Sequence, residues 1–172
     1  LDLFVAMTGR APYCGTYADS GRQARRIVEL AAVPTDVDDG FWPLLGWVLG
    51  KLSPDRIPLL RGLEEMKVGD DAMKAVCAAF GSTSGAPMLH IAGHTPEAGM
   101  PLAPAADMVT IEREMLADAW RQLNSGGADI DLVAIGSPHV SLAELHLMDA
   151  ALDGRHRHAD VKLILTIGRD VL

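Results

Sequence analysis

Two side chains suited to proton transfer, Ser137 and His139, lie in a short connection between two strongly patterned segments. The residues before them, Ile130 to Ile135, form an apolar run with β-branched members, which predicts a central strand buried on both faces. Gly136 and Pro138 interrupt this run. A hydroxyl and an imidazole at such a turn can move a proton or orient a substrate.

The residues that follow the 136–139 turn predict the start of a helix. Ser141 and Glu144 have the spacing of a capping box, in which each residue's side chain accepts from the other's backbone N–H. Helix N-termini favour anions, and open α/β sheets bind ligands at the carboxyl ends of their strands. The pattern therefore predicts an anion-binding turn, and the alternative is a well-capped loop that binds nothing.

Glycine turns with polar neighbours recur along the chain. Strands are predicted at Leu3–Met7, Arg56–Leu60, Pro87–Ala92, Ile130–Ile135 and Val161–Ile167, and each ends at or beside a glycine. Strands that alternate with helices predict an α/β fold, a mainly parallel sheet flanked by helices, with these turns along one edge. The candidate residues at that edge are Thr8, Arg10, His94, Thr95, Glu97, Ser137, His139 and Arg169.

Apolar periodicity and capping residues predict the helices. Their expected spans run from Asp19 or Ser20 to about Ala32, from Phe41 to Leu52, from Asp70 or Asp71 to Phe80, from Ala105 to Leu123, and onward from Ser141. In the helix from Phe41 to Leu52, Gly46 and Gly50 would allow another element to approach closely. The alternative is that these glycines simply weaken the helix. Pro58 predicts an edge or irregular strand, and His90 a hydrogen-bonded core histidine.

Composition limits the class of protein. The 172 residues suit a single α/β domain, 1–172, and 49% of them are hydrophobic. A net charge of −8 argues against nucleic acid as the main partner, and no apolar run is long enough to span a membrane. Two cysteines indicate a reducing, cytoplasmic setting. Because the chain starts and stops within strand-like patterns, we expect it to be a fragment of a longer protein.

Several stretches resemble the aconitase X family of hydro-lyases. The matching segments are Leu3 to Ala11 (LFVAMTGRA), Pro43 to Gly50 (PLLGWVLG), Arg56 to Gly62, Leu89 to Ala98 (LHIAGHTPEA) and Ile135 to Leu145 (IGSPHVSLAEL). They span nearly the whole chain in the family's order and resemble the middle portion of its large subunit. The resemblance implies an aconitase-like fold and a dehydratase activity.

The resemblance also implies a substrate class. Ser137, where archaeal members tend to carry cysteine, and the run from Thr8 to Pro12 make the chain more similar to cis-3-hydroxy-L-proline dehydratases; a mevalonate 5-phosphate dehydratase is the alternative. Such an enzyme removes a proton next to a carboxylate and expels hydroxide from the neighbouring carbon. We expect Ser137 and His139 to be catalytic, with Arg10 binding the substrate carboxylate and Thr8, His94 and Thr95 supporting it.

Cofactor and partner expectations follow from the same resemblance. An iron–sulfur cluster is expected in the full-length protein, with cysteines from segments outside these residues; no cofactor or metal ligand is expected within them. The expected partners are a small carboxylate substrate and a small swivelling subunit or domain. The 172 residues alone would then be inactive. A non-catalytic module that binds small anions at the 136–139 turn remains the alternative from another class.

Overall fold

Four short strands form a parallel sheet in the computed structural model, which describes residues 2–33 and 36–171. The strands are β1 (Arg26–Leu30), β2 (Pro58–Arg61), β3 (His90–Ile91) and β4 (Asp107–Ile111). They lie in the order β3-β2-β1-β4, and all their pairings are parallel. Leu1, Pro34, Thr35 and Leu172, which the predicted domain includes, lie outside the described residues. The predicted fold class, a mainly parallel sheet with flanking helices, is confirmed.

Three of the helices cover one face of this larger sheet. The helices in the described residues are α1 (Asp2–Thr8), α2 (Phe41–Leu52), α3 (Asp70–Thr83), α4 (Arg113–Leu123) and α5 (Leu142–Leu152). The core forms where α2, α3 and α4 pack on the strands, and Val28, Leu60, Leu45, Leu49 and Val76 are all fully buried there. Because strand side chains alternate between faces, Leu59 belongs to a smaller apolar cluster on the opposite side.

The contact between α2 and α3 depends on two glycines. A Cβ atom at Gly46 would collide with the backbone carbonyl of Val76, and one at Gly50 would collide with the side chain of Thr83. The predicted close approach of another element at these glycines is therefore confirmed. Helix α3 therefore packs closely on α2. Its charged residues lie on the side that faces the segment between β5 and α5.

A smaller sheet contains β5 (Leu132–Val140) and β6 (Lys162–Ile167), which pair in parallel. The prediction that Ile130 to Ile135 forms a central buried strand is wrong. β5 has β6 as its neighbour in the described part of the chain, and Ile130, Leu132 and Ile135 are 60%, 46% and 40% exposed. An apolar run indicates a strand's composition, but burial depends on what covers its two faces.

Three further predictions of secondary structure are corrected. The predicted strand Leu3–Met7 is helix α1, since a short apolar run does not distinguish the two. The predicted helix ending near Ala32 contains β1 instead, and the predicted helix from Ala105 is divided into β4 and α4. In both cases β-branched residues pair with neighbouring strands, and this tertiary pairing overrides the helical periodicity.

The position of Pro58 in the sheet differs from the prediction. Pro58 is the first residue of β2, which has β1 and β3 on its two sides, so the predicted edge position is wrong. A proline is tolerated at the first residue of a strand.

Within the described ranges, no helix is both long and apolar enough to cross a membrane.

Candidate active site

The predicted 136–139 turn is a bulge inside β5. Pairing with β6 runs in register to Ile135 and resumes at Val140, so Gly136–His139 lies opposite Thr166. Gly136 has a φ of +131°, which favours glycine, and the Ser137–Pro138 peptide bond is cis. The bulge leaves the side chains of Ser137 and His139 exposed. We refer to it as the 136–139 bulge.

Helix α5 begins directly after the bulge with the predicted capping box. The Glu144 backbone N–H donates to Ser141 Oγ at 3.1 Å, and the Ser141 backbone N–H donates to Glu144 Oε2 at 2.7 Å. The helix ends at Leu152 and is followed by Asp153 and Gly154, both with positive φ. This cap fixes the direction in which the chain leaves the bulge.

A lysine from α3 joins the larger sheet's helices to the bulge. Lys74 Nζ donates to Asp71 Oδ1 at 2.8 Å, to the His139 carbonyl at 3.1 Å and to Glu144 Oε2 at 2.9 Å. Ser141 Oγ donates to Asp71 Oδ2 at 2.9 Å. We call these side chains, with the His139 carbonyl, the Lys74 network.

The network shifts the pKa values of its charged members. The hydrogen bond to Asp71 raises the pKa of Lys74, and the bonds from Lys74 and Ser141 lower the pKa of Asp71. For Glu144, desolvation acts to raise the pKa, but the Ser141 N–H and Lys74 outweigh it and the pKa is lowered. All three groups are therefore held in their charged forms at neutral pH.

Ser137 lines a cavity of about 340 Å³ between α2, α3 and the bulge–α5 segment. Pro43 and Ala75 form part of one wall, and Pro138, Glu144 and Met148 part of the other. A larger cavity of about 460 Å³ adjoins it and shares residues Asp39, Ala75, Glu144 and Leu147. The 340 Å³ cavity is large enough for a small organic acid, and Ser137 is one of its lining residues.

The other candidate residues lie elsewhere. His94 and Thr95 follow β3, where the His94 ring bonds the Leu63 carbonyl at 2.8 Å and Thr95 Oγ1 accepts from the Ile91 N–H at 2.9 Å. Thr8 ends α1 and donates to the Phe4 carbonyl at 2.7 Å, and Arg10 is exposed two residues later. None of these four lines the cavity at Ser137 in the described part of the chain.

The remaining polar candidates are also accounted for. Glu97 accepts from Arg22 Nε at 2.8 Å, which ties the loop after β3 to the chain before β1. Arg169 is exposed beyond β6, in the short helix Arg169–Val171. His90 is a satisfied core histidine as predicted, because it is buried and its Nε2 lies 2.7 Å from the Arg22 carbonyl oxygen. The roles assigned to the catalytic and binding candidates stay predictions.

An ion cluster that the sequence did not reveal lies at the start of β1 and β4. Arg26 Nε donates to Asp107 Oδ1 at 2.8 Å, and an Arg56 nitrogen lies 3.2 Å from Asp107 Oδ2. Arg26 falls within the span predicted as a helix, but it is partly buried on strand β1. Its guanidinium holds the pKa of Asp107 below the ordinary value of 3.8.

This cluster gives a pH-dependent prediction. Because the pKa of Asp107 is lower in the folded state, its ion pairs stabilise the fold fully above about pH 4 and are lost as the pH falls through the folded value. The difference in unfolding free energy between wild type and Asp107→Asn should be constant from pH 7 to 5 and shrink below pH 4. Urea unfolding across this range measures it.

The control is Asp129→Asn, a change at an exposed aspartate in no ion pair among the described residues. The difference in unfolding free energy between this variant and the wild type should be the same at every pH. If the difference in unfolding free energy between Asp107→Asn and the wild type is also independent of pH, the cluster contributes nothing to acid sensitivity.

The described residues do not fit an iron–sulfur cluster. Cys14 precedes the short helix Gly15–Tyr17, Cys77 lies on α3, and both are free thiols. Desolvation by neighbouring residues raises the pKa of Cys77, which disfavours the thiolate that binds metals. Across 2–33 and 36–171, no three His, Cys, Asp or Glu side chains group closely enough to hold a metal ion. Such clusters need three or four thiolates.

The parallel sheet, its helical layer and the polar bulge beside a cavity define an α/β protein with a cavity beside its smaller sheet. The sequence profile of the aconitase X second domain matches residues 24–121, more than half of the chain. The chain therefore belongs to the aconitase X family, as its resemblance predicted.

Relatives and a solved structure extend this assignment. The chain is 42% identical to the cis-3-hydroxy-L-proline dehydratase of Pseudomonas aeruginosa and 37% identical to that of Hypocrea jecorina, over 100% and 98% of its length. It covers 30% of each of these relatives. The crystal structure of Thermococcus kodakaraensis aconitase X in its holo-form matches with a TM-score of 0.81 and 27% identity, over 98% of this chain and 43% of that one.

Proposed function

We propose that the chain is part of a longer dehydratase that removes water from cis-3-hydroxy-L-proline. The observation that carries this proposal is the 42% identity to the Pseudomonas aeruginosa enzyme of that name, over the whole of this chain. Large subunits of phosphomevalonate dehydratase are more distant, at 29% identity for that of Thermococcus kodakarensis. Hydroxyproline is therefore favoured over mevalonate 5-phosphate as the substrate.

The reaction requires a general base and a general acid. A base takes the proton from the carbon that bears the carboxylate, the bond between the neighbouring carbon and its hydroxyl breaks, and a second proton converts the leaving hydroxide to water. We assign Ser137 and His139 to positioning or proton transfer. The support is their exposed position on the 136–139 bulge and the cavity that Ser137 lines.

Substrate binding is assigned to residues outside the bulge. Arg10 would bind the carboxylate through its guanidinium fork, with Thr8, His94 and Thr95 as supporting polar groups. Arg10 is exposed and its guanidinium makes no hydrogen bond within the described ranges, which leaves its donors available for a ligand. His94 and Thr95 are held by the backbone at the carboxyl end of β3, where parallel sheets commonly bind ligands.

We also propose what completes the protein. The archaeal relatives are named as large subunits, which supports a small subunit or an equivalent domain as partner. Membership of the aconitase X family supports an iron–sulfur cluster in the full-length protein, with ligands from outside the described residues. The free thiols of Cys14 and Cys77 support a reducing, cytoplasmic setting.

Turnover by the full-length protein tests the function. We expect it to consume cis-3-hydroxy-L-proline and to leave mevalonate 5-phosphate unchanged, as measured by separating substrate and product. The 172-residue chain alone is the control and should be inactive. Dehydration of mevalonate 5-phosphate in place of hydroxyproline would assign the other type, and binding of small carboxylates without turnover would support the anion-binding module.

A further inference from the structure

We propose that Lys74 is a positioning residue for the 136–139 bulge: its ammonium holds the His139 carbonyl and the Glu144 cap, and so sets how Ser137 and His139 face a substrate. This inference rests on the proposed function, because it takes the bulge to be part of the active site. It adds a residue from α3, more than sixty positions away in sequence, to the groups that determine the reaction.

The ammonium of Lys74 has all three donors occupied. An ammonium group offers three N–H bonds, and the three oxygens within 3.1 Å of Nζ are Asp71 Oδ1, the His139 carbonyl and Glu144 Oε2. Two of these acceptors are carboxylates of lowered pKa, so the network stays ionised at neutral pH. These three hydrogen bonds define the position of the Lys74 ammonium between α3 and the bulge.

The helix that carries Lys74 is closely packed in the core. Two residues further along α3, Val76 is fully buried, and its backbone contacts α2 at Gly46. Phe80 on the same helix is buried in the core as well. The position of Lys74 is therefore set by the packing of α2 against α3.

The bulge, by contrast, lacks ladder pairing to its own sheet, although Gly136 packs closely against Thr166 of β6. Ladder pairing with β6 is interrupted between Ile135 and Val140, so the backbone of Gly136–His139 lacks the regular partners that fix a strand. In the described part of the chain, the side-chain hydrogen bonds between α3 and the bulge–α5 segment come from Lys74 and Ser141. The Lys74 network thus orients the bulge relative to the larger sheet.

The expected effect is on catalysis more than on stability. Lys74, Asp71 and Glu144 are each partly exposed, and ion pairs of this kind contribute little to folding. Misplacement of reacting groups by about 1 Å, however, can lower turnover by on the order of 10²-fold. Loss of the lysine should therefore reduce kcat while the protein stays folded.

Lys74→Met in the full-length protein tests the inference, because it keeps the length of the side chain and removes its donors. We expect kcat for cis-3-hydroxy-L-proline to fall about 10-fold or more. Lys74→Arg should regain most of the loss, since it restores a cation near the same acceptors. Lys51→Met is the matched control: Lys51 lies on α2 over the Trp47 ring, away from the bulge, and its loss should leave kcat unchanged.

Hydrogen exchange of the backbone amides gives a readout independent of activity. Amides of residues 136–141 should exchange faster in Lys74→Met than in wild type or Lys51→Met. Unchanged exchange there would overturn the inference, and so would a variant with normal kcat and only a lower melting temperature. If the wild type does not dehydrate hydroxyproline, the proposed function fails, but exchange at the bulge still decides whether Lys74 holds it.

Discussion

Gly46→Ala should lower the free energy of unfolding by about 2–3 kcal/mol, a large effect for a single methyl group. The added Cβ would collide with the Val76 carbonyl and would lie 3.0 Å from the Val76 Cα. Both are backbone atoms of α3, which cannot rotate away as a side chain can. The helices must therefore separate, and this outweighs the gain of about 1 kcal/mol that alanine brings to a helix interior.

Gly81→Ala is the matched control for this prediction. Gly81 lies in α3, and a Cβ there would meet no atom within 4 Å. That variant should be more stable than wild type by up to about 1 kcal/mol, through helix propensity alone. Urea denaturation of both variants measures the difference. Stabilisation by both substitutions would show that α2 and α3 do not pack as closely as described.

The elements that the sequence predicted well are those whose determinants are local. α2 was predicted to within its observed bounds, because twelve largely apolar residues and Pro43 in the first turn favour a helix whatever surrounds it. The Ser141–Glu144 capping box and the strand at Val161–Ile167 are likewise local patterns, and both are confirmed.

The elements that sequence analysis missed depend on distant partners. β1 and β4 pair with each other over some eighty residues of chain, and their helical periodicity gave no sign of this. The exposure of β5 could not be read from its apolar composition either. Prediction therefore failed where pairing or burial is decided by the fold as a whole.

The candidate site divides in the same way. Ser137 and His139 were found because glycine, proline and a helix cap surround them in sequence. Lys74 and Asp71 reach the same place from α3, and their only local signal was a spacing of three residues on a helix, which usually marks a solvent-exposed pair. The helix cap can be recognised from sequence, whereas the continuation of β5 through a bulge and the groups that hold it from another element require coordinates.

His139→Ala should reduce turnover of cis-3-hydroxy-L-proline by the full-length protein on the order of 10²-fold, if its imidazole transfers a proton as proposed. The variant removes the ring but keeps the main-chain carbonyl that accepts from Lys74, so the Lys74 network can stay intact. The ring is exposed, and its loss creates no cavity in the core. Stability should change by no more than about 1 kcal/mol.

His156→Ala controls for the loss of an exposed imidazole, because His156 lies in the connection between α5 and β6, outside the bulge. Steady-state kinetics and thermal melting of both variants separate chemistry from folding. We expect His139→Ala to retain its melting temperature and lose kcat, and His156→Ala to retain both. Unchanged turnover with a steep fall in melting temperature would make His139 a structural residue and remove the bulge's imidazole from the mechanism.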